Sequence, residues 1–490
     1  MGSGRPSVTI IGSGFGGLGM AIALRRAGVE DITVLERADD LGGCWRENTY
    51  PGAACDVPSH LYSYSFEPKS DWSRRFAPQG EILDYLRHCA RKYDVLRHIR
   101  FRAEVTGARF DDGENRWEVT LADGTVHRTD ILVSACGQLS RPAWPSIPGI
   151  ESFGGEIFHS ATWNHDYDLD GKEVAVIGTG ASAIQFVPQI APRVHRLRLF
   201  QRGAAHVLPK PDYAYPPAVR AVFAKVPFLQ RLSRWATYWT LESRALAFTR
   251  FPQLMSAVDL RFKRHLRHRV PDPEARARLT PTDPIGCKRI LLSTDYYDAL
   301  TRPDVEVVTA GIEAITPEGL VTADGRRHVV DAIILGTGFA ATEFLAPMRI
   351  TGRDGRDLHD AWAEGAEAHL GITVSGFPNL FLLYGPNTNL GHSSIVFMLE
   401  SQIRYVLQAV RRLARGDVRR LEVRAEAQRA SNEVLQRRIG ATVWDRGCNS
   451  WYTTDSGRNT NNWPGFTFAY RLATRQLREA DFVPQPADAR

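Results

Sequence analysis

Twice in this chain an apolar, β-branched run ends in a glycine-rich turn that opens a helix, and this recurrence limits the available folds more than any other feature. The first run, Ser7 to Ile11, ends in G-S-G-F-G-G. Leu18 to Ala27 then reads as a helix closed by Gly28, and Asp31 to Glu36 as a second strand. Gly12, Gly14 and Gly17 suit a tight turn, close approach of a pyrophosphate and close helix–strand packing, while the helix start offers free N–H groups. Glu36 stands where a carboxylate accepts hydrogen bonds from a ribose diol. The second run, Val174 to Ile177, continues G-T-G-A-S-A, with Gly178, Gly180 and Ala183 at the fingerprint positions and a second strand at Arg196 to Phe200. Thr179, Ser182 and Gln185 lie on that turn and its helix and are assigned to the same cofactor. Here the strand ends in Gln201-Arg202 instead of an acid. A carboxylate favours a free 2'-hydroxyl, whereas a guanidinium pairs with a 2'-phosphate, so NADPH is expected over NADH. The competing reading of Arg202 is a surface arginine beside a strand end.

Each unit is followed by the same pattern. W-E-V-T-L-A-D-G-T-V-H-R-T-D-I-L-V-S-A-C-G from Trp117 reads as a strand, a D-G turn, a return strand and an apolar strand ending in small residues. L-V-T-A-D-G-R-R-H-V-V-D-A-I-I-L-G-T-G at 320 to 338 repeats it. The expected fold is therefore α/β, with two Rossmann-like dinucleotide-binding domains. A first part of one domain is placed at 1–145, the second domain at 150–340, and the C-terminal completion of the first at 341–490. Residues 204–286 interrupt the second domain and read as helical. They are expected to form a subdomain packed on the others, with an oligomer contact or a membrane-surface patch as alternatives.

A chain of 490 residues that is 43% hydrophobic buries a large core and exceeds one ordinary domain. Its formal charge of +6 comes from 61 basic residues of which only seven are Lys. Because Arg is dispersed and forms no basic block, no nucleic-acid partner is expected. Cys44, Cys55, Cys89, Cys136, Cys287 and Cys448 show neither C-x-x-C nor metal-ligand spacing, so no metal and no catalytic disulfide are expected, and isolated thiols point to a reducing compartment. The start of the chain runs straight into a strand, and no window of about 20 apolar residues appears. The expectation is a cytoplasmic enzyme without a membrane partner.

Between the two nucleotide units lies F-G-G-E-I-F-H-S-A-T-W, Phe153 to Trp163, entered from P-A-W-P-S-I-P-G. Its glycines and flanking prolines mark it as a linker and not a regular element. Taken alone, His159 and Trp163 are as well explained by packing at a domain junction. Spaced F-x-G-x-x-x-H-x-x-x-W through Phe153, Gly155, His159 and Trp163, the segment resembles the fingerprint of the type I Baeyer-Villiger monooxygenases, although Asn164 replaces the Pro or Asp that usually follows. G-G-C-W-R-E-N-T-Y-P-G-A-A-C-D at 42 to 56 is similar to the second signature of that family, with Trp45, Tyr50, Pro51, Gly52 and Asp56 in place. Outside a motif, an aspartate such as Asp56 is more often a turn cap than a catalytic group.

The resemblance covers the chain from Val8 to about Tyr470. It implies FAD in the first site and NADPH in the second, and conversion of a ketone to an ester or lactone with O2 through a flavin C4a-peroxide. It also implies that Trp45, Tyr62 and Gln138 border the flavin. The K-R element of the family matches Lys288-Arg289 in G-C-K-R-I-L-L-S-T-D-Y-Y, which assigns Lys288 to the 2'-phosphate and Arg289, with Asp56, to catalysis. Trp451 matches a nicotinamide contact, its alternative being a packed aromatic. His392, in L-Y-G-P-N-T-N-L-G-H-S-S, is equally readable as a ligand contact or a turn residue. Two rival functions share these fingerprints: oxygenation of nitrogen or sulfur by a flavin-containing monooxygenase or N-hydroxylase, and a non-catalytic flavin-binding redox sensor.

Overall fold

In the computed structural model, residues 6–445, 447, 450–454 and 456–486 are described; Cys448 and the two chain ends, 1–5 and 487–490, lie outside them. Two five-stranded parallel sheets carry the two glycine turns. The first is built on β1 (Val8–Ile11), which leads through the turn into α1 (Phe15–Arg26) and then β2 (Ile32–Leu35). β3 (Ile99–Arg100) and β4 (Ile131–Ser134) flank this pair, with β1 paired in parallel to both β2 and β4. Both faces of the sheet are covered, which is why β1 and β4 are continuous apolar runs and not alternating ones. Each fully buried Val, Ile or Leu in them contributes about 1.5–3 kcal/mol of transfer free energy.

The second sheet contains a strand that the sequence reading missed. Glu156–His159, expected as part of a linker, is β5. It is followed by β6 (Glu173–Ile177), α2 (Ala183–Ile190), β7 (Arg196–Phe200) and the short β8 (Val207–Leu208). The interrupting segment is helical, with α3 (Pro217–Lys225), α4 (Pro227–Ser243) and α5 (Met255–Arg269) as its main elements. The chain then returns through β9 (Leu291–Leu292), β10 (Val305–Val308) and β11 (Ala332–Leu335). The strand order is β10-β7-β6-β11-β5. β5 pairs with β11 from Glu156↔Ala332 to His159↔Leu335, so the segment is a sheet edge whose partner lies far along the chain.

Both D-G hairpins form. Arg116–Leu121 pairs with Val126–Thr129, and Gly319–Thr322 with Arg327–Val329, each turning at a glycine of positive φ, Gly124 and Gly325. After β11 the chain returns to the first sheet, where β12 (Leu380–Leu382) pairs with β4 and completes the order β12-β4-β1-β2-β3. α6 (Ile395–Leu413) is the expected amphipathic helix and packs on α1, while α7 (Thr467–Ala473) packs on α6. No helix among the described residues is long and apolar enough to cross a membrane. Cys287 is disulfide-bonded, against the expectation of isolated thiols; a disulfide requires Cβ proximity, not a spacing motif.

Candidate active site

The first glycine turn is shaped by close backbone contacts. A Cβ on Gly17 would lie 1.9 Å from the Gly12 carbonyl oxygen, and one on Gly12, at φ +97°, 2.8 Å from that of Ala135. Glu36, buried just past β2, accepts from the Ser13 N–H (2.9 Å) and hydroxyl (2.6 Å) through one oxygen and from the Ala38 N–H (3.0 Å) through the other. Sequence reasoning placed this carboxylate on a ribose; the structure shows that it also braces the turn. A carboxylate has about four acceptor sites, so capacity for hydroxyl donors remains.

The loop at 42–56 lies over this turn and ties the two sheets together. Gly42 N–H donates to Ser13 O, and a Cβ on Gly43 would stand 3.1 Å from Gly14 Cα. Trp45 donates to the Tyr62 hydroxyl at 3.2 Å, and Tyr62 meets Phe15 edge-on. On the far side the loop grips α2. The Gln185 amide accepts from Tyr50 OH (3.0 Å) and donates to Ala54 O (2.9 Å), and only glycine at 52, at φ +79°, admits the Gln185 carbonyl 2.7 Å from where a Cβ would be. Gln138 donates to Tyr384 O at 3.3 Å while its buried Oε1 has no partner among the described residues.

At the second turn, Gly178 (φ +109°) faces the Gly336 carbonyl, 2.4 Å from a notional Cβ, and Thr179 bonds Gly203 O at 3.2 Å. Gly180 is looser, with its nearest neighbour 3.8 Å away. Ser182 caps α2 without a side-chain capping bond. Past β7, buried Gln201 is committed to Arg278 O at 2.6 Å, which leaves Arg202 as the exposed group at the strand end. Lys288 is exposed in part and pairs with Asp283 at 2.7 Å.

Asp56 and Arg289, 233 positions apart, meet where these elements converge. Arg289 donates from Nη2 (2.5 Å) and Nε (3.2 Å) to one oxygen of Asp56. The pairing of β8 with β9, Val207↔Leu291 and Leu208↔Leu292, holds Arg289 in place, and its Nη1 reaches Leu390 O at 3.5 Å. The Asp56 charge raises the guanidinium pKa further above its already high value. Burial is the largest influence on Asp56 and opposes its ionisation, yet the charge and hydrogen bonds of Arg289, with the Lys210 charge, together outweigh it and keep the carboxyl below its ordinary range. The pair therefore persists through and above the usual carboxylate range and is lost only when pH falls through that lowered pKa. The side chains remain 28% (Arg289) and 34% (Asp56) exposed.

Three neighbours of this pair were not found from the sequence. Tyr452 is buried beside Arg289, and burial pushes its phenol up to about 12, so it stays neutral with its oxygen facing the guanidinium donors. Burial likewise raises Tyr384, whose hydroxyl donates to Asn389 at 2.8 Å. Lys210 just past β8 is depressed by desolvation and lies within the field of Asp56. Only Tyr452 had a sequence signal, its adjacency to Trp451. Trp451 itself is exposed, packed on Tyr452 with ring centroids 4.4 Å apart.

The segment Phe153–Trp163 stands behind the site. A Cβ on Gly155 would fall 2.3 Å from Asp331 O and 2.8 Å from the Phe153 ring. His159 is buried, accepts from the Ala161 N–H at 3.0 Å, and has its pKa lowered by desolvation, so it is a neutral packing group. Trp163 packs on Phe158 and on Phe186 of α2. Asn164, standing where the family usually has Pro or Asp, donates to Glu156 (2.8 Å) and accepts from the Asp166 N–H (3.0 Å). His392 is buried 3.7 Å from Glu242 of α4 and is not a surface turn residue.

Residues 5–253 match the model of the flavin-binding monooxygenase-like family. The chain belongs to that family. It is 49% identical over 472 residues to a Baeyer-Villiger monooxygenase of Pseudomonas aeruginosa, covering 96% of this chain and 90% of the relative. A Baeyer-Villiger monooxygenase of Streptomyces coelicolor is 47% identical over 485 residues, covering 98% and 93%. Among solved structures, an oxidised steroid monooxygenase bound to NADP aligns with a TM-score of 0.87 at 33% identity, and a closed cyclohexanone monooxygenase with 0.89 at 28%. Each covers 98% of this chain and 99% of its own. Family membership agrees with the two sheets and with the meeting of the 42–56 signature loop and the Lys288-Arg289 element in one ion pair.

Proposed function

We propose that the protein is an FAD-dependent, NADPH- and O2-consuming Baeyer-Villiger monooxygenase that converts a ketone to an ester or lactone. The observation that carries this reading is the Asp56–Arg289 pair, assembled from two distant motifs and still partly exposed. Among the similar structures, the steroid monooxygenase is bound to NADP, and OTEMO is a complex with FAD and NADP. The residues here fit both groups: the Gly12–Gly17 cradle, Glu36 with spare acceptor capacity and the orphaned Gln138 Oε1 suit FAD, and Gly178, Gly180, Arg202 and Lys288 suit a 2'-phosphorylated nicotinamide. When bound, FAD reduced by NADPH supplies the activation of O2.

The chain's own residues then supply fixed charge. Attack on a ketone carbonyl needs an anionic oxygen nucleophile, and a unit positive charge about 4 Å away stabilises it by on the order of 4 kcal/mol at an effective dielectric near 20. Arg289 keeps that charge at any working pH. Asp56 orients the guanidinium by accepting from its Nε and Nη2, and Leu390 O accepts from its Nη1.

Arg289→Ala is expected to retain FAD and to be reduced slowly by NADPH, yet to lose ester formation by about 100-fold or more, the range seen when one electrostatic stabiliser is removed. NADPH consumed should then appear as hydrogen peroxide. Product mass and peroxide assays on a panel of cyclic, linear, aryl and steroid ketones check it, and an undiminished ester rate removes Arg289 from this role. Asp56→Ala is expected to slow reduction or oxygenation with FAD still bound; wild-type rates in both half-reactions would return Asp56 to loop capping.

A further inference from the structure

α4 is seated with its polar side inward. Gln230 donates to Lys69 O at 2.5 Å, Arg234 to His60 O and Ser63 O at 2.8 and 3.0 Å, and Glu242 accepts from Thr467 Oγ1 at 2.8 Å. Phe228, Leu232, Trp235 and Trp239, spaced four, three and four, consequently form one stripe that points away from the protein. Phe228 is 68% and Trp235 61% exposed. The stripe continues onto α7, where Phe468 meets Trp239 with ring centroids 6.1 Å apart and Leu472 is 62% exposed. An apolar patch of this extent marks an interaction surface.

Charge decides the occupant. Residues 217–269 hold eleven Lys and Arg against two Asp and Glu, a net +9 in a chain whose total is +6. Lys225 and Arg231 are exposed on and beside the stripe, while Glu242, one of the two acids, is buried. A symmetric contact between two copies would oppose like charges. Outward Trp and Phe flanked by cations, on a helix lying flat against its domain, match the chemistry of an anionic lipid surface. We propose that α4 and α7 dock this protein peripherally on an anionic membrane surface. This revises the low rank that the sequence assigned to a membrane contact.

The test is co-sedimentation of the FAD-loaded full chain with vesicles of pure phosphatidylcholine or of phosphatidylcholine with about a third phosphatidylglycerol. Binding to the anionic vesicles is expected to exceed that to neutral ones by about tenfold and to weaken near 1 M salt, where the screening length is about 3 Å. Phe228→Gln, Leu232→Gln and Trp235→Gln together, on exposed positions and with helix propensity kept, should cut it about tenfold and leave turnover of a water-soluble ketone unchanged. Lys225→Gln with Arg231→Gln should reduce only the anionic preference. Equal binding to both vesicle types, no binding to either, or full binding by the triple variant overturns the proposal. So does a solution dimer that the triple variant splits without any vesicle binding, which assigns the face to a second copy.

Discussion

The two parallel sheets are the same device completed from opposite ends of the chain. In each, a central strand runs into a glycine turn, two strands lie to one side, and a closing strand from a D-G hairpin lies on the other. The fifth strand differs. The first sheet takes β12 from sequence that follows everything else in the unit, whereas the second takes β5 from sequence that precedes its first strand. Phe153–Trp163 thus carries the edge strand of the second sheet, with Trp163 packing that edge on Phe186 of α2 and His159 meeting Phe339. The difference teaches that a signature segment can owe its pattern to where a strand must begin and end, apart from any direct chemistry.

The turns differ in tightness as well. The third fingerprint position is Gly17 in the first, with no room for a methyl, and Ala183 in the second. α1 runs for 12 residues from the turn, while α2 starts later, spans 8 and contains Pro188, which removes one helical donor. At that third position, therefore, the first turn excludes any side chain and the second accepts a methyl.

The largest expected effect sharpens this contrast. Gly17→Ala would force a Cβ against the Gly12 backbone, and FAD content, read as flavin absorbance per protein, should fall to about a tenth or less of wild type; a fully loaded variant would show that the turn relaxes. Next comes the strand-end difference. Arg202→Ala should lower the NADPH-to-NADH ratio of kcat/KM by about tenfold, the size of one charge-assisted contact of about 1.5 kcal/mol. An unchanged ratio would erase the distinction drawn between Glu36 and Arg202. The smallest effect on the fold is expected at Gly180→Ala, where 3.8 Å of clearance leaves the protein room for a methyl, so FAD content should match wild type while the KM for NADPH rises, because the methyl stands where a pyrophosphate approaches. A loss of FAD as severe as that at Gly17 would show that this turn does not accept the methyl.

Much of this was legible in the residues. Glycines that tolerate no Cβ, apolar runs buried on both faces and D-G turns are local requirements, so they mark their positions whatever surrounds them. The Lys288-Arg289 pair and the loop ending at Asp56 were legible only as motifs, since nothing local says that two groups 233 positions apart share a hydrogen bond. Tertiary structure alone decided the rest. β5 is four residues long, too short to show a period, and exists because β11 offers a free edge. Tyr452 and Tyr384 come to Arg289, and Lys210 to Asp56, from separate segments. α4 shows which way it faces only once Gln230, Arg234 and Glu242 find partners inside. Its helical spacing makes the stripe of Phe228, Leu232, Trp235 and Trp239 certain but not its direction, because a hydrophobic pattern records only that a face is apolar, and packing chooses what that face meets.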